Sequence, residues 1–261
     1  MGVVDVVRRF QRAVKRCVPE FILDARRHRI LKRSIERVDR DLVGRPASEV
    51  FSEIYRRQLW GRPVSGRRFS SGHGSYVSLH VDSYVAAMDR FIRGLSWTPS
   101  VVDLGCGDFN VGSKIRYLFG RYVAVDIAQE VLVENRNRYS EYDVDFVGLD
   151  VIRDEFPDAD ICIIRQVLQH LSNDDISQIV TRLGKYKVVI LTEPLPRSDF
   201  IPNLDQPTGV SSRLARGIQS GVVITAPPFS LGVQSSQVIC STFDDFSKAD
   251  LVTTAHWLVE R

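Results

Sequence analysis

Cysteine is scarce in this chain of 261 residues: the four present, Cys17, Cys106, Cys162 and Cys240, stand far apart and form no C-x-x-C pair. That spacing excludes a disulfide framework and carries no zinc-site signature, so a reducing, intracellular setting is expected. No apolar run approaches the roughly 18 residues of a transmembrane helix, and the Val3 to Val7 patch is too short and interrupted for a signal peptide. A soluble, cytoplasmic protein is expected. The chain also lacks internal repeats and low-complexity tracts, which sets aside a solenoid. What is present, 44% hydrophobic residues over this length, suffices for one full core.

Acidic charge is short at one end. Residues 1 to 45 carry 13 Lys or Arg against 6 Asp or Glu, a net +7 that leaves −4 for the rest of a chain whose total is +3. Val3, Val6, Val7, Phe10, Val14 and Cys17 fall at helical spacing, with Arg8, Arg9, Arg12, Lys15 and Arg16 largely elsewhere on the wheel. This is the pattern of a basic amphipathic helix, and a second is expected after Pro19. Two readings stay open: packing on their own domain or on a second copy in a homo-oligomer, and docking through residues 3 to 40 on a partner or the inner membrane face. Few aromatics interleave these charges, so no nucleic-acid partner is expected. Residues 1–45 are therefore expected to form a basic helical extension, and residues 46–261 a single domain.

Within that domain the pattern alternates. Helices are expected at about 46 to 59 and 75 to 94, separated by a Gly-, Ser- and Arg-rich stretch, residues 60–74, that reads as a candidate lid. Strands near 100 to 104, 121 to 125, 144 to 148, 160 to 164 and 187 to 192 then alternate with helices, which implies an α/β fold with a parallel sheet. Gln237 to Thr242 and Leu251 to Val259 are the expected last strands. Residues 194–236 form a long Pro-, Gly- and Ser-rich insertion without periodicity, read as part of an acceptor pocket.

The most specific stretch is Val101-Val102-Asp103-Leu104-Gly105-Cys106-Gly107-Asp108, an apolar strand running into a glycine-rich turn. Gly105 and Gly107 lack the Cβ that would keep a ligand off the backbone. Helical sequence resumes near Gly112, so the loop amides point into space at a helix N-terminus. The next strand, Tyr122 to Val125, delivers Asp126 about 20 residues on, the offset at which an acid grips a ribose diol. A dinucleotide loop would need glycine where Asn110 stands, and Asp108 would repel a pyrophosphate. The loop suits a cationic, phosphate-free cofactor.

These residues resemble the class I S-adenosylmethionine-dependent methyltransferases. The 101 to 108 loop is similar to their first motif and Tyr122 to Asp126 to their second. Val147-Gly148-Leu149-Asp150 is similar to the segment whose acid lies near the adenine amine. Asp160 to Ile164 and the following Arg165-Gln166-Val167-Leu168-Gln169-His170-Leu171 are similar to their fourth strand and the segment after it. The resemblance implies a Rossmann-like, doubly wound, mostly parallel seven-stranded sheet whose final strand is antiparallel, with S-adenosyl-L-methionine as cofactor. It implies cofactor contacts from Asp103, Gly105, Cys106, Gly107, Asp108 and Asn110, from Asp126 and Ile127, from Asp150 and Val151, and from Arg165 and Gln166. Phe51, Ile54-Tyr55, Leu59-Trp60-Gly61, the Ser70 to Ser75 turn, Cys106 to Asn110 and Gln169 to Ser172 together resemble bacterial methyltransferases linked to polysaccharide and glycoside assembly. This chain carries His73 and Gln166 where they usually carry Pro and Asp. That subgroup implies a small saccharide acceptor.

Methyl transfer from a sulfonium is an in-line displacement that needs positioning and removal of the acceptor proton, without an obligatory metal. His170 follows the fourth strand at the carboxyl edge of the sheet and is the expected general base. His73 in the turn is a second candidate. Glu193, after the fifth strand, and Asp108 are the carboxylate candidates, as base or as ligands of a divalent ion such as Mg, with Glu193 favoured to orient an acceptor hydroxyl. No resident metal site is expected, and His28 and His80 are read as structural. The expected activity is O-methylation of a sugar, glycoside or oligosaccharide precursor. The alternatives are methylation of another small natural product and a noncatalytic partner subunit of the same fold.

Overall fold

The central strands are nearly uninterrupted runs of branched apolar residues, as required of strands covered on both faces. In the computed structural model, which describes residues 37–64 and 66–259, β1 (Val101–Leu104) and β2 (Tyr122–Asp126) are buried throughout, and β4 (Ile161–Arg165) is buried through Ile164. Of the amphipathic helices expected over residues 3 to 40, all but residues 37–40 lie outside the described residues. The chain divides into two units, Met1–Asp41 and Leu42–Arg261. Of the first, residues 37–41 are described, and they are helical.

The second unit holds a seven-stranded sheet in the order β3-β2-β1-β4-β5-β7-β6, with β3 at Asp145–Gly148, β5 at Val188–Leu195, β6 at Val233–Asp244 and β7 at Ala249–Leu258. β1 to β5 pair in parallel, and β7 runs antiparallel to both β5 and β6. This is the doubly wound, mostly parallel sheet expected from the alternation. β6 starts at Val233, inside the stretch read as an insertion, and carries register shifts between Val233 and Ser235 and between Val238 and Cys240. An edge strand broken by such irregularities is a poor template for another chain.

Side chains alternate across the pleat and build two cores. On one face Val101, Ala124, Ile161, Ile163 and Ile190 join Val81, Tyr84, Met88 and Ile92 of α2 (Ser78–Arg93). On the other, Val102, Val123, Cys162, Ile164 and Val189 join Ile176, Ile179 and Val180 of α5 (Asn173–Arg182). α1 (Ala47–Arg56) precedes them, α3 (Gly112–Ile115) continues into a turn of 3-10 helix at Arg116–Leu118, and α4 (Gln129–Arg138) follows β2. The strand order reverses at β1 and β4, where the connections leave toward opposite sides of the sheet. In such folds that crevice, outside the carboxyl ends of the strands, is where ligands bind. No helix among the described residues is long and apolar enough to cross a membrane.

Candidate active site

The loop after β1 is held open by its own backbone. Gly105 and Gly107 adopt φ of +77° and +55°. A Cβ on Gly105 would lie 2.4 Å from Val167 Cγ2, and one on Gly107 would lie 2.2 Å from Ser71 Oγ. Any side chain there meets both strain and a clash. Phe109, itself at φ +57°, turns its ring into the core between Tyr122, Tyr139 and Phe146, with centroids 5.1 to 5.4 Å away. A buried aromatic thus clamps the glycine turn to the sheet.

Asp126 closes the loop from the next strand. One carboxylate oxygen accepts the Gly107 N–H at 2.9 Å and the other the Ala128 N–H at 2.9 Å. Burial raises its pKa, against the pull of the Ala128, Gly107 and Ile127 amides. A carboxylate offers about four acceptor positions, so room remains for a diol. Asp103 is buried one strand over, accepts Tyr122 O–H at 2.8 Å and is pushed up to about 6 by burial.

These residues border a cavity of about 980 Å³, its open mouth included. Of the expected cofactor residues, Asp103, Gly105, Cys106, Gly107, Asp108, Asp126 and Ile127 line it from β1 and β2, and Asp150, Val151, Arg165 and Gln166 from β3 and β4. His170 lines it as well, on a 3-10 turn, Leu168–His170, with its ring 5.0 Å from that of Trp60. Arg165 reaches Gly74 O at 2.7 Å and Gln166 Oε1 at 3.0 Å, while its Nε is buried and has no hydrogen-bond partner among the described residues.

Three expected residues stand outside the cavity wall, each for a visible reason. Asn110 is spent on the loop: its amide nitrogen donates to Ser75 O at 2.7 Å and its Oδ1 accepts from Arg67 at 2.8 Å. Glu193 is 2% exposed and faces backbone, accepting the N–H of Leu168 at 2.9 Å and of Gln169 at 3.2 Å. His73 turns away toward His80 and Asp244. Asp108 does line the cavity, but its oxygens are engaged by Ser71 N–H, Tyr76 O–H and Asn110 N–H. It stitches the 70 to 76 turn onto the glycine loop, which leaves it poorly placed as a base. The 194 to 236 insertion contributes no residue to this cavity's wall. It holds the 168 to 173 segment instead: Gly209 N–H donates to His170 O at 2.9 Å, and buried Arg213 donates to Leu168 O at 3.4 Å and Asn173 Oδ1 at 2.8 Å.

The 51 to 60 motif and, apart from His73, the Ser70 to Ser75 turn carry no role that local sequence assigns. Phe51, Tyr55, Trp60, Ser71 and Ser75 in fact form one wall of the cavity, and Tyr84 adds to it from α2. Two aromatics recurring at helical spacing in α1 and followed by Trp60 were the available signal.

Glu193 makes a testable statement about stability. Burial pushes its carboxyl up to about 8 from an ordinary 4.5, against the pull of the Leu168 amide, Arg213 and the neighbouring amides. Between those limits the folded chain holds a proton that the unfolded chain has released. Its stabilisation is therefore complete below about 4.5 and is lost as pH rises toward 8, at up to about 1.4 kcal/mol per pH unit. Urea unfolding from pH 5 to 8 is expected to show wild type losing stability relative to Glu193→Gln. Parallel curves would mean that Glu193 does not titrate in this window.

The methyltransferase-domain family model matches residues 101–186, from β1 to the end of the segment after α5. No curated protein matches the chain in sequence. Among solved structures, the chain is similar to the N-methyltransferase NodS from Bradyrhizobium japonicum WM9, with a TM-score of 0.51 and 11% identity over 69% of this chain and 87% of that one. It is similar to human N-acetylserotonin methyltransferase, with a TM-score of 0.50 and 19% identity over 83% of this chain and 61% of that one. It is similar, too, to the bifunctional kinase-methyltransferase WbdD, with a TM-score of 0.50 and 17% identity over 70% of this chain and 40% of that one. At these identities the likeness is one of fold.

Proposed function

We propose, from the premise that this chain is a class I methyltransferase by its matched domain and its fold, that it is an S-adenosylmethionine-dependent O-methyltransferase acting on a hydroxyl of a small saccharide or glycoside. The observation that carries this is the cavity itself. It brings the open glycine backbone, Asp126 and Asp150 together with His170 at the carboxyl edge of the sheet. Four carboxylates, Asp103, Asp108, Asp126 and Asp150, and a single guanidinium border it, a donor set hostile to a pyrophosphate and suited to an adenosine carrying a sulfonium. Asp126 would hold the ribose diol, Asp150 the adenine end, and Asp103 the amino group of the methionine moiety. When bound, that cofactor supplies an electrophilic methyl group.

The chain's residues do the rest. Trp60, set edge-on to Tyr55 at 5.4 Å and beside His170, offers an apolar face on which the C–H face of a sugar ring can lie. The same placement puts a ring hydroxyl near the imidazole, which takes its proton as the oxygen attacks. Catalysis then rests on alignment, with the base segment fixed by Glu193 on its N–H side and by the insertion on its carbonyl side.

Calorimetric titration of the full chain with S-adenosylhomocysteine tests the cofactor, and a mass-spectrometric screen of mannosides, rhamnosides and other glycosides with S-adenosylmethionine tests the acceptor. Binding together with a methylated glycoside is expected. No binding sinks the enzymatic reading and favours a noncatalytic subunit. Binding with methylation confined to nonsugar hydroxyls moves the acceptor to another small natural product.

A further inference from the structure

Outside the cavity, three side chains from distant parts of the chain converge. His73 comes from the turn before α2, His80 from the first turns of α2, and Asp244 from the end of β6. The Nε2 atoms of both histidines lie 3.5 Å from the same oxygen, Asp244 Oδ1. The three ligand atoms all fall within 4.8 Å of one another, and no other such group occurs among the described residues. A tetrahedral ion bound at about 2.0 to 2.2 Å by nitrogen and oxygen spaces its ligand atoms about 3.3 to 3.5 Å apart. Two of the three edges already have that length.

The surroundings favour coordination over a plain ion pair. His80 is buried, and its Nδ1 lies 2.8 Å from Thr242 Oγ1. With Nδ1–H donating to that hydroxyl, Nε2 keeps its lone pair and faces Asp244, the arrangement by which outer partners fix the tautomer of a metal-ligating histidine. Asp244 is fixed likewise, its Oδ2 accepting Ser247 N–H at 3.1 Å and Ser247 O–H at 2.6 Å. His73 is exposed at the rim, so a fourth position there is open to water.

We propose that His73, His80 and Asp244 bind one divalent ion of the zinc class, completed by water, which ties the 70 to 75 turn to the β6 end. Imidazole and carboxylate suit such an ion over magnesium, which prefers oxygen ligands. The turn it fixes carries Ser71 and Gly74, which meet Asp108 and Arg165 of the cavity wall, and Ser75, which meets Asn110 behind it. The ion acts as a staple of that wall, away from the reacting atoms.

The test uses the full chain, stripped with a chelator, then titrated with Zn²⁺ by calorimetry and with Co²⁺ by visible absorption. One equivalent of ion is expected, with the intense ligand-field bands of four-coordinate Co²⁺. His73→Ala, at an exposed turn position that folds regardless, is expected to lose at least about 100-fold in affinity, and Thr242→Val, which keeps all three ligands, about 10- to 100-fold. Absence of saturable binding in wild type, or unchanged affinity in His73→Ala, would overturn the site and leave a histidine–aspartate ion pair. Neither readout depends on cofactor or acceptor, so failure here leaves the methyltransferase reading untouched.

Discussion

Asp126→Asn is expected to weaken S-adenosylhomocysteine binding by roughly 100-fold or more while costing less thermal stability than Asp126→Ala. The reasoning starts from the bonds that the carboxylate already makes. Its two oxygens hold Gly107 N–H and Ala128 N–H, so it is first a structural tie between the two loops that form the cavity floor. A ribose diol would add two hydrogen bonds to a charged acceptor, each worth about 1.5 to 3 kcal/mol. Asparagine keeps one acceptor oxygen and the shape but gives up the charge, and its N–H₂ must oppose one of the two amide donors, which costs about 1 to 3 kcal/mol of stability. Losing about 3 kcal/mol is a factor of roughly 100 in affinity.

Asp126→Ala separates the two roles of this side chain. It leaves both amides without their partner in a buried setting, at about 1 to 3 kcal/mol each, so its melting temperature should fall well below that of the asparagine variant. Calorimetry and thermal melting of both proteins decide the matter. Affinity lost by about the same factor in Asp126→Asn and Asp126→Ala, with a higher melting temperature in Asp126→Asn, identifies a ligand contact. Wild-type affinity in Asp126→Asn would mean that Asp126 only ties the loops and that the ribose is held elsewhere.

The parts of this molecule that were legible in the sequence are those where one physical requirement fixes residue type locally. β1, β2, β4 and β5 read directly, because strands covered on both faces must be mostly apolar, and the glycine turn read directly, because Cβ atoms would collide with Val167 and Ser71. Less legible were roles set by where a side chain points after a long return of the chain. Glu193 sits at the expected strand end, yet the turn after β4 folds over it and takes both oxygens. His73 stands in the expected turn, yet its ring meets β6, some 170 residues on, which no local pattern announces. The insertion likewise carried no periodicity because it builds no regular element before β6. Its residues act through single hydrogen bonds, such as Gly209 N–H to His170 O.

His170→Ala is expected to lower kcat by about 10²- to 10⁴-fold, the usual contribution of a positioned general base, while S-adenosylhomocysteine affinity stays within a few-fold of wild type. The two readouts diverge because the residues proposed to hold the cofactor lie on β1 to β4 and in the loops at their carboxyl ends, whereas the imidazole lies on the 3-10 turn beside Trp60. A second signature concerns pH. A base must be deprotonated to work, so wild-type kcat should fall on the acidic side with the ionisation of the imidazole, and the variant should lose that limb. An unchanged kcat, or an acidic limb that persists in the variant, would transfer the role to a carboxylate. Asp103, held up to about 6 by burial and lining the same cavity, is then the residue to replace. Its donor Tyr122 offers the control: Tyr122→Phe removes the hydrogen bond that favours the ionised form, so a limb belonging to Asp103 would move to higher pH, and one belonging to His170 would stay where it is.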